Sequence, residues 1–291
     1  MKILVVGGTG LVGSEVARRL VIREQDVWVL SHSSEAVRSW PVGAASVYGD
    51  LLDPDSLDAT FEDVECAFLL FPVGPEETVM GLNAVQAARK HGVQRLVYMS
   101  VAHIDDGVHI PHFRSKIPIE NAVRESGITH TILRPNNFYQ NDFYFRESIL
   151  SGVYPQPIGD VGVHRVDIRD IADAAVNALL RDGFEGQTYP INGPRALTGD
   201  DVAKTYSRYL RRDVRYIGND LEVWSRLASQ MLPDWMVHDF RIMYDHFQVH
   251  GMLATEDELE RQKRVIGHDP LEFDLFVSEV TTEWLRERAA A

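Results

Sequence analysis

Cysteine is almost absent from this 291-residue chain, which holds only Cys66. A single thiol forms no internal disulfide, so stability must come from a packed core, and a reducing compartment is favoured. Cys66 lies in the apolar run 66–70, where a buried strand residue is expected and not a reactive thiol. Long apolar runs are missing too. None approaches the roughly 18 residues that cross a membrane, and the first apolar stretch begins too early to leave room for a signal peptide. A cytoplasmic protein with no membrane partner is expected. Basic charge is scarce, with 29 Lys and Arg against 43 Asp and Glu for a net charge of −14. No clustered basic face is present to neutralise phosphates along a polyanion, which argues against direct nucleic-acid binding. Repeats and low-complexity tracts are also lacking. What remains is a globular chain, 45% hydrophobic, with length for about two domains and a sizeable core.

Glycine is concentrated in one place. Residues 3–6 are apolar, Gly7-Gly8-Thr9-Gly10-Leu11-Val12-Gly13 follows at once, and Val12, Val16 and Leu20 then recur every four. The pattern reads strand, tight turn, helix. A helix starting just after such a turn aims unpaired N–H groups and the positive end of its dipole at one spot, which suits a pyrophosphate. Gly7 would turn the chain, Gly10 would let phosphates approach bare backbone, and Gly13 would let the helix pack close. No Lys-Ser/Thr pair closes the glycines, which excludes a P-loop.

Residues 26–31 read as a second buried strand, and its end is where a dinucleotide ribose is usually read. Ser31-His32-Ser33-Ser34 stands there, and the first acid, Glu35, comes late. No carboxylate repels a 2′-phosphate, the hydroxyls and histidine can donate to it, and Arg38 lies within reach in sequence. NADP(H) is therefore favoured, with NAD(H) possible. Further strands are expected at 45–48, 64–71, 95–100 and 129–134, with helices at 56 onward and 75–91. Alternating helices and near-continuous apolar strands mean a parallel sheet covered on both faces. Ligands of such sheets lie beyond the carboxyl ends of the strands, which singles out Ser31, Asp50 with Leu51, Phe71 with Pro72, Ser100, and Pro135 with Asn136 and Phe138. Residues 1–150 are expected to form this dinucleotide-binding unit. Residues 151–291 are expected to form a smaller, mixed and mainly helical substrate-covering lobe, with the chain free to cross back. In that lobe, strands are expected at 163–166 and 188–191, and helices at 168–181, 198–210, 221–230, 233–250 and 271–288. Met236, Phe240, Met243 and Phe247 share one helical stripe, expected to be mainly core.

The segment His112-Phe113-Arg114-Ser115-Lys116-Ile117-Pro118-Ile119-Glu120 opens the helix after the 95–100 strand. Lys116 is a fixed cation suited to a ribose, and desolvation would let it pass a proton. His112 suits proton donation to a reduced quinone or carbonyl oxygen. The bland readings are a solvated lysine and a loop histidine that only packs. Pro118 requires the regular helix to begin near Ser115 or Lys116. His103, His109 and His112 lack fixed ligand geometry, so no metal is expected.

The segment resembles short-chain dehydrogenase/reductases, in which Tyr-x-x-x-Lys occupies this helix, the lysine on the ribose and the tyrosine as proton donor. Here Lys116 is kept and His112 stands in place of the tyrosine. With the glycine turn, Gly49-Asp50-Leu51, Leu133-Arg134-Pro135-Asn136-Asn137-Phe138 and Asn192-Gly193-Pro194, the chain resembles the NmrA-like family, atypical members of that superfamily. The resemblance implies a Rossmann-type doubly wound α/β fold and an NAD(P)-dependent reductase of quinones, azo compounds or natural-product intermediates. It equally admits a redox sensor with no turnover. An isomerase or epimerase of a nucleotide-linked substrate is a third reading, though its chemistry normally relies on the missing tyrosine.

Overall fold

The computed structural model describes residues 1–32 and 43–290. Its strands are β1 Lys2–Val5, β2 Asp26–Ser31, β3 Ala45–Tyr48, β4 Cys66–Leu69, β5 Arg95–Met99, β6 Thr129–Pro135, β7 Val153–Tyr154, β8 Gln187–Ile191 and β9 Arg215–Tyr216. Its helices are α1 Leu11–Ile22, α2 Ser56–Phe61, α3 Glu77–Lys90, α4 Pro111–Arg114, α5 Lys116–Glu125, α6 Arg146–Ser151, α7 Ile168–Leu180, α8 Gly199–Leu210, α9 Leu221–Ala228, α10 Asp234–His250, α11 Glu256–Ile266 and α12 Phe273–Ala290. Seven parallel strands pair in the order β3-β2-β1-β4-β5-β6-β8. The strand order reverses between β1 and β4, the switch point at which doubly wound Rossmann-type sheets bind ligands.

Periodicity explains the layers. On one face, Val16 and Leu20 of α1 and Ile171 and Ala175 of α7 pack against Val5 and Val97. On the other, Phe61 of α2, Val85 of α3 and Ile119 of α5 meet Leu4, Leu69 and Ile132. Buried from both sides, β4 has no exposed position, which is why it reads as an unbroken apolar run. Cys66 sits on that strand, and burial pushes its thiol up to about 11. The seventh strand comes from beyond residue 150, as β8 pairs with β6. Among the described residues no helix is long and apolar enough to cross a membrane.

A third core fills the later half, with Tyr206, Phe247, Phe273 and Phe276 beside Ile110 and Phe113 from the segment after β5. Within it Arg165 and Asp142 are fully buried and bonded at 2.8 Å, and Tyr206 donates to the same carboxylate at 2.9 Å. Burial alone would weaken the Arg165 cation, and Asp142 more than offsets it. One expectation is corrected here, and one helix is added. Residues 163–166 form isolated bridges, to Phe138, Leu197 and Met252, and not a strand; Arg165 N–H bonds back to Val163 O, so no ladder can run. Residues 256–266 form a helix that the apolar pattern did not signal, opened by a Thr255 and Glu258 capping box.

Asp170, in the first turn of α7, is buried and accepts the Leu271 N–H at 2.9 Å, while Oδ1 has no hydrogen-bond partner. Burial pushes its carboxyl up to about 7; the Leu271 N–H opposes this and Asp167 adds to it. Between the ordinary carboxylate range and that value the folded protein holds a proton the unfolded chain has released, so stability falls as pH rises through this window. Asp170→Asn should flatten the fall by on the order of 2 kcal/mol, read as the difference between urea denaturation at about pH 5 and about pH 7.5.

Candidate active site

The glycine turn lies at the switch point. Gly7 has φ +78°, and a Cβ there would sit 2.6 Å from the Leu70 carbonyl oxygen at the end of β4. A Cβ on Gly13 would sit 2.2 Å from Gly7 O and 2.8 Å from Gly8 Cα, so α1 rests directly on the backbone of the turn. Gly10 differs. Its Cβ would meet only Gly7 O, at 3.5 Å, and Thr9, Gly10 and Leu11 are exposed while Val12 and Gly13 are buried. No side chain caps α1, its first turn carries no acid, and its first backbone bond runs from Ser14 N–H to Gly10 O at 3.0 Å. The N–H groups of Leu11, Val12 and Gly13 therefore have no intrahelical partner. A bare crest at an uncapped helix N-terminus fits a diphosphate.

The remaining positions fall along the same sheet edge. Ser31 ends β2 and is buried, and His32 beside it is exposed; Ser33, Ser34, Glu35 and Arg38 lie outside the described residues. Asp50 follows β3 and caps its own turn, Oδ1 accepting the Leu52 N–H at 2.9 Å; Leu51 is half-buried. Phe71 is buried with its ring centroid 6.1 Å from that of Tyr98, and Pro72 is exposed. Ser100 and Pro135 are buried at the ends of β5 and β6, and Phe138 is half-buried. Asn136 is occupied within the protein. Its amide donates to Asn192 Oδ1 and Met252 O, both at 3.0 Å, and its oxygen accepts the Asn137 N–H, which makes it a brace between loops.

His112 and Lys116 lie four residues apart across the junction of α4 and α5, which meet at Ser115. Pro118 is the third residue of α5, where the N–H would have no partner anyway. Lys116 is buried and ion-paired with Glu77, at the start of α3, which is itself buried. The Ser115 hydroxyl donates to the other Glu77 oxygen at 2.7 Å. The expected lone cation is thus a neutralised buried pair. One turn further along α5, Glu120 accepts from Arg134 of β6 at 2.9 and 2.8 Å. Burial works against ionisation of Glu120, but the bonds from Arg134, with Arg124 behind, hold its carboxyl below its usual range. This clamp fixes the pitch of the helix that presents Lys116. His112 is half-buried, its Nδ1 2.5 Å from Asp239 Oδ1 on α10, with the rings of Phe113 and Phe240 set edge-on at 4.8 and 5.6 Å. Glu77 and Asp239 escaped the sequence reading, although Asp239 gave a signal: it is an acid on the apolar side of α10, four residues before Met243 of the core. Among the described residues no group of three or more His, Cys, Asp or Glu is placed to hold a metal.

Fold and turn together define a dinucleotide-binding α/β protein of the Rossmann type. The chain belongs to the NmrA-like family, whose profile matches residues 1–270. It is 35% identical over 247 residues to an NAD(P)H azoreductase of Xenophilus azovorans, covering 83% of this chain and 86% of that one. It is 36% identical over 217 residues to a (4-alkanoyl-5-oxo-2,5-dihydrofuran-3-yl)methyl phosphate reductase of Streptomyces griseus, covering 74% and 76%. In fold it matches an NADPH-dependent quinone oxidoreductase of Escherichia coli solved with NADPH, with TM-score 0.83 and 21% identity over 97% of this chain and 100% of that one.

Two substitution pairs follow from this geometry. Gly13→Ala drives a methyl into backbone and should cost about 3 kcal/mol in chemical denaturation, whereas Gly10→Ala should fold normally and lose dinucleotide affinity. Glu77→Ala strands a buried ammonium and should lower stability by about 3–5 kcal/mol, with Glu77→Ala/Lys116→Met recovering most of the loss.

Proposed function

We propose that the chain is an NADPH-dependent reductase that passes hydride to an apolar aromatic acceptor, such as a quinone, an azo compound or a natural-product intermediate. One observation carries the reading: a bare helix-N-terminal cradle follows β1, and the α4–α5 segment bearing His112 and Lys116 follows β5, at the same carboxyl edge of one parallel sheet. The names of the azoreductase and the phosphate reductase, each above 30% identity, support reduction as the reaction class. The crest from Thr9 to Gly13 would hold the diphosphate, and Ser31 and His32 the ribose carrying the 2′-phosphate. Phe71, Pro72, Ser100, Pro135 and Phe138 would wall the nicotinamide end. Bound there, NADPH supplies a hydride. The protein's own share is orientation and one proton: Lys116 sets the ribose side, and His112 gives a proton to the acceptor oxygen or nitrogen and regains it from solvent. A quinone accepts hydride readily, so little further acid–base apparatus is needed. Trp235, one turn before Asp239 on α10 and 37% exposed, offers an aromatic surface for a flat acceptor.

The buried Lys116–Glu77 pair favours a second reading, a dinucleotide sensor in which occupancy orders the covering lobe. Purified protein with NADPH and a panel of quinones and azo dyes separates them by loss of reduced-nicotinamide absorbance. Turnover is expected, with His112→Phe lowering kcat roughly 100-fold and Lys116→Ala weakening NADPH binding about 10- to 100-fold. Saturable binding without oxidation across the panel selects the sensor. Calorimetric titration should show NADPH bound more tightly than NADH, and His32→Asp should narrow or reverse that preference.

A further inference from the structure

We propose that Asp239 is the positioning residue of this site: by accepting the Nδ1–H of His112, it fixes the imidazole tautomer and leaves Nε2 as the atom that takes a proton from solvent and then, from the imidazolium, delivers it. The inference rests on the reductase reading for its kinetic consequence, though the pairing itself stands on geometry. An ionised carboxylate only accepts, so at 2.5 Å the hydrogen must sit on Nδ1 of the ring. The two nitrogens of an imidazole flank one carbon and point in widely diverging directions, so a bond from Nδ1 to Asp239 does not engage Nε2. The rings of Phe113, at 89°, and Phe240, at 69°, stand edge-on to the imidazole and restrict its rotation.

Charge bookkeeping on this face points the same way. Lys116 is already neutralised by Glu77, and among the described residues the ion-pair partner of Asp239 is His112. Asp239 is thus the carboxylate available to steady an imidazolium. Its side chain is 6% exposed and that of His112 9%, so water screens the pair little. The pair also spans the two halves of the molecule. His112 belongs to the helix segment leading into Lys116, while Asp239 comes from the covering lobe 127 residues later, so the seating of α10 sets the proton chemistry on the cofactor side. A carboxylate that orients a histidine through one nitrogen so that the other can act is a recurrent catalytic arrangement.

Protein labelled with 15N at histidine, with His112 assigned by His112→Gln, provides a readout that needs no turnover. In the wild type, neutral His112 should show the Nδ1–H tautomer and a slowly exchanging, strongly downfield Nδ1 proton, and Asp239→Asn should abolish both. In quinone reduction, Asp239→Asn should lower kcat by at least about tenfold while the Kd for NADPH stays within about twofold, and Asp239→Glu should restore part of kcat. An Nε2–H tautomer in the wild type, or a kcat for Asp239→Asn within about twofold of wild type, overturns the proposal. The tautomer is read on the wild-type protein, so a variant that fails to fold leaves the test intact. Absence of turnover across the acceptor panel removes the reductase reading, and the resonance experiment then decides the pairing by itself.

Discussion

Helix α1 begins against the backbone of the turn that precedes it, and the placement of the site follows from that contact. With Gly13 lying on Gly7 and Gly8, the first turn of the helix packs directly on the turn, so its free N–H groups sit just past the end of β1. The Leu70 carbonyl at the end of β4 closes the other side of the turn, and the open position at Gly10 remains as a crest facing solvent. Any side chain at Gly7 or Gly13 would have to displace main chain, which is far stiffer than a rotamer. The close packing of the cradle therefore comes from the side chains that Gly7 and Gly13 lack.

This part of the molecule was legible in the sequence because its requirements are written into residue identity. A positive φ, a close backbone approach and an uncapped helix start each call for glycine, and unbroken apolar runs call for strands covered on both faces. The strand ends were equally legible: Ser31, Asp50, Phe71, Ser100 and Pro135 all fall at or just beyond the carboxyl ends of sheet strands. What could not be read was pairing at a distance. Lys116 and Glu77 are 39 residues apart, and His112 and Asp239 are 127 apart; no local pattern distinguishes these acids from solvated ones. Helix α11 was missed for a related reason. It is highly charged and buries only Gln262, Val265 and Ile266, so its stability comes from its capping box and from docking on α7 and β8 rather than from an apolar stripe.

The later half is organised by polar groups as much as by apolar ones. Arg165 and Asp142 are fully buried, and the remaining valences are filled by Tyr154, Tyr206, Asn137 and backbone carbonyls. Such a network is favourable only when every member is satisfied, so it admits one arrangement of the surrounding segments and rejects near alternatives. The bends around residues 137–142 and 163–166 follow from it. They interrupt what the apolar pattern at 163–166 would otherwise have made a strand. The same lobe contains Ile110 and Phe113 in its core, so the segment carrying His112 is anchored to the lobe at one end and to the sheet at the other.

That double anchoring bears on the buried Lys116–Glu77 pair. Two charges removed from water lose hydration that their mutual attraction only partly returns, so a pair of this kind is a weak stabiliser and is better understood by what it positions. Glu77 accepts from both Ser115 and Lys116, and the Thr78 hydroxyl donates to Ser115 O at 2.8 Å. The start of α3 thus grips the junction of α4 and α5 at Ser115, the residue just before Lys116. Arg134 grips α5 one turn later through Glu120. With both flanks held by charge-assisted bonds, neither side chain depends on loop conformation for its aim, and the absence of net charge on the lysine side keeps the face compatible with an apolar acceptor.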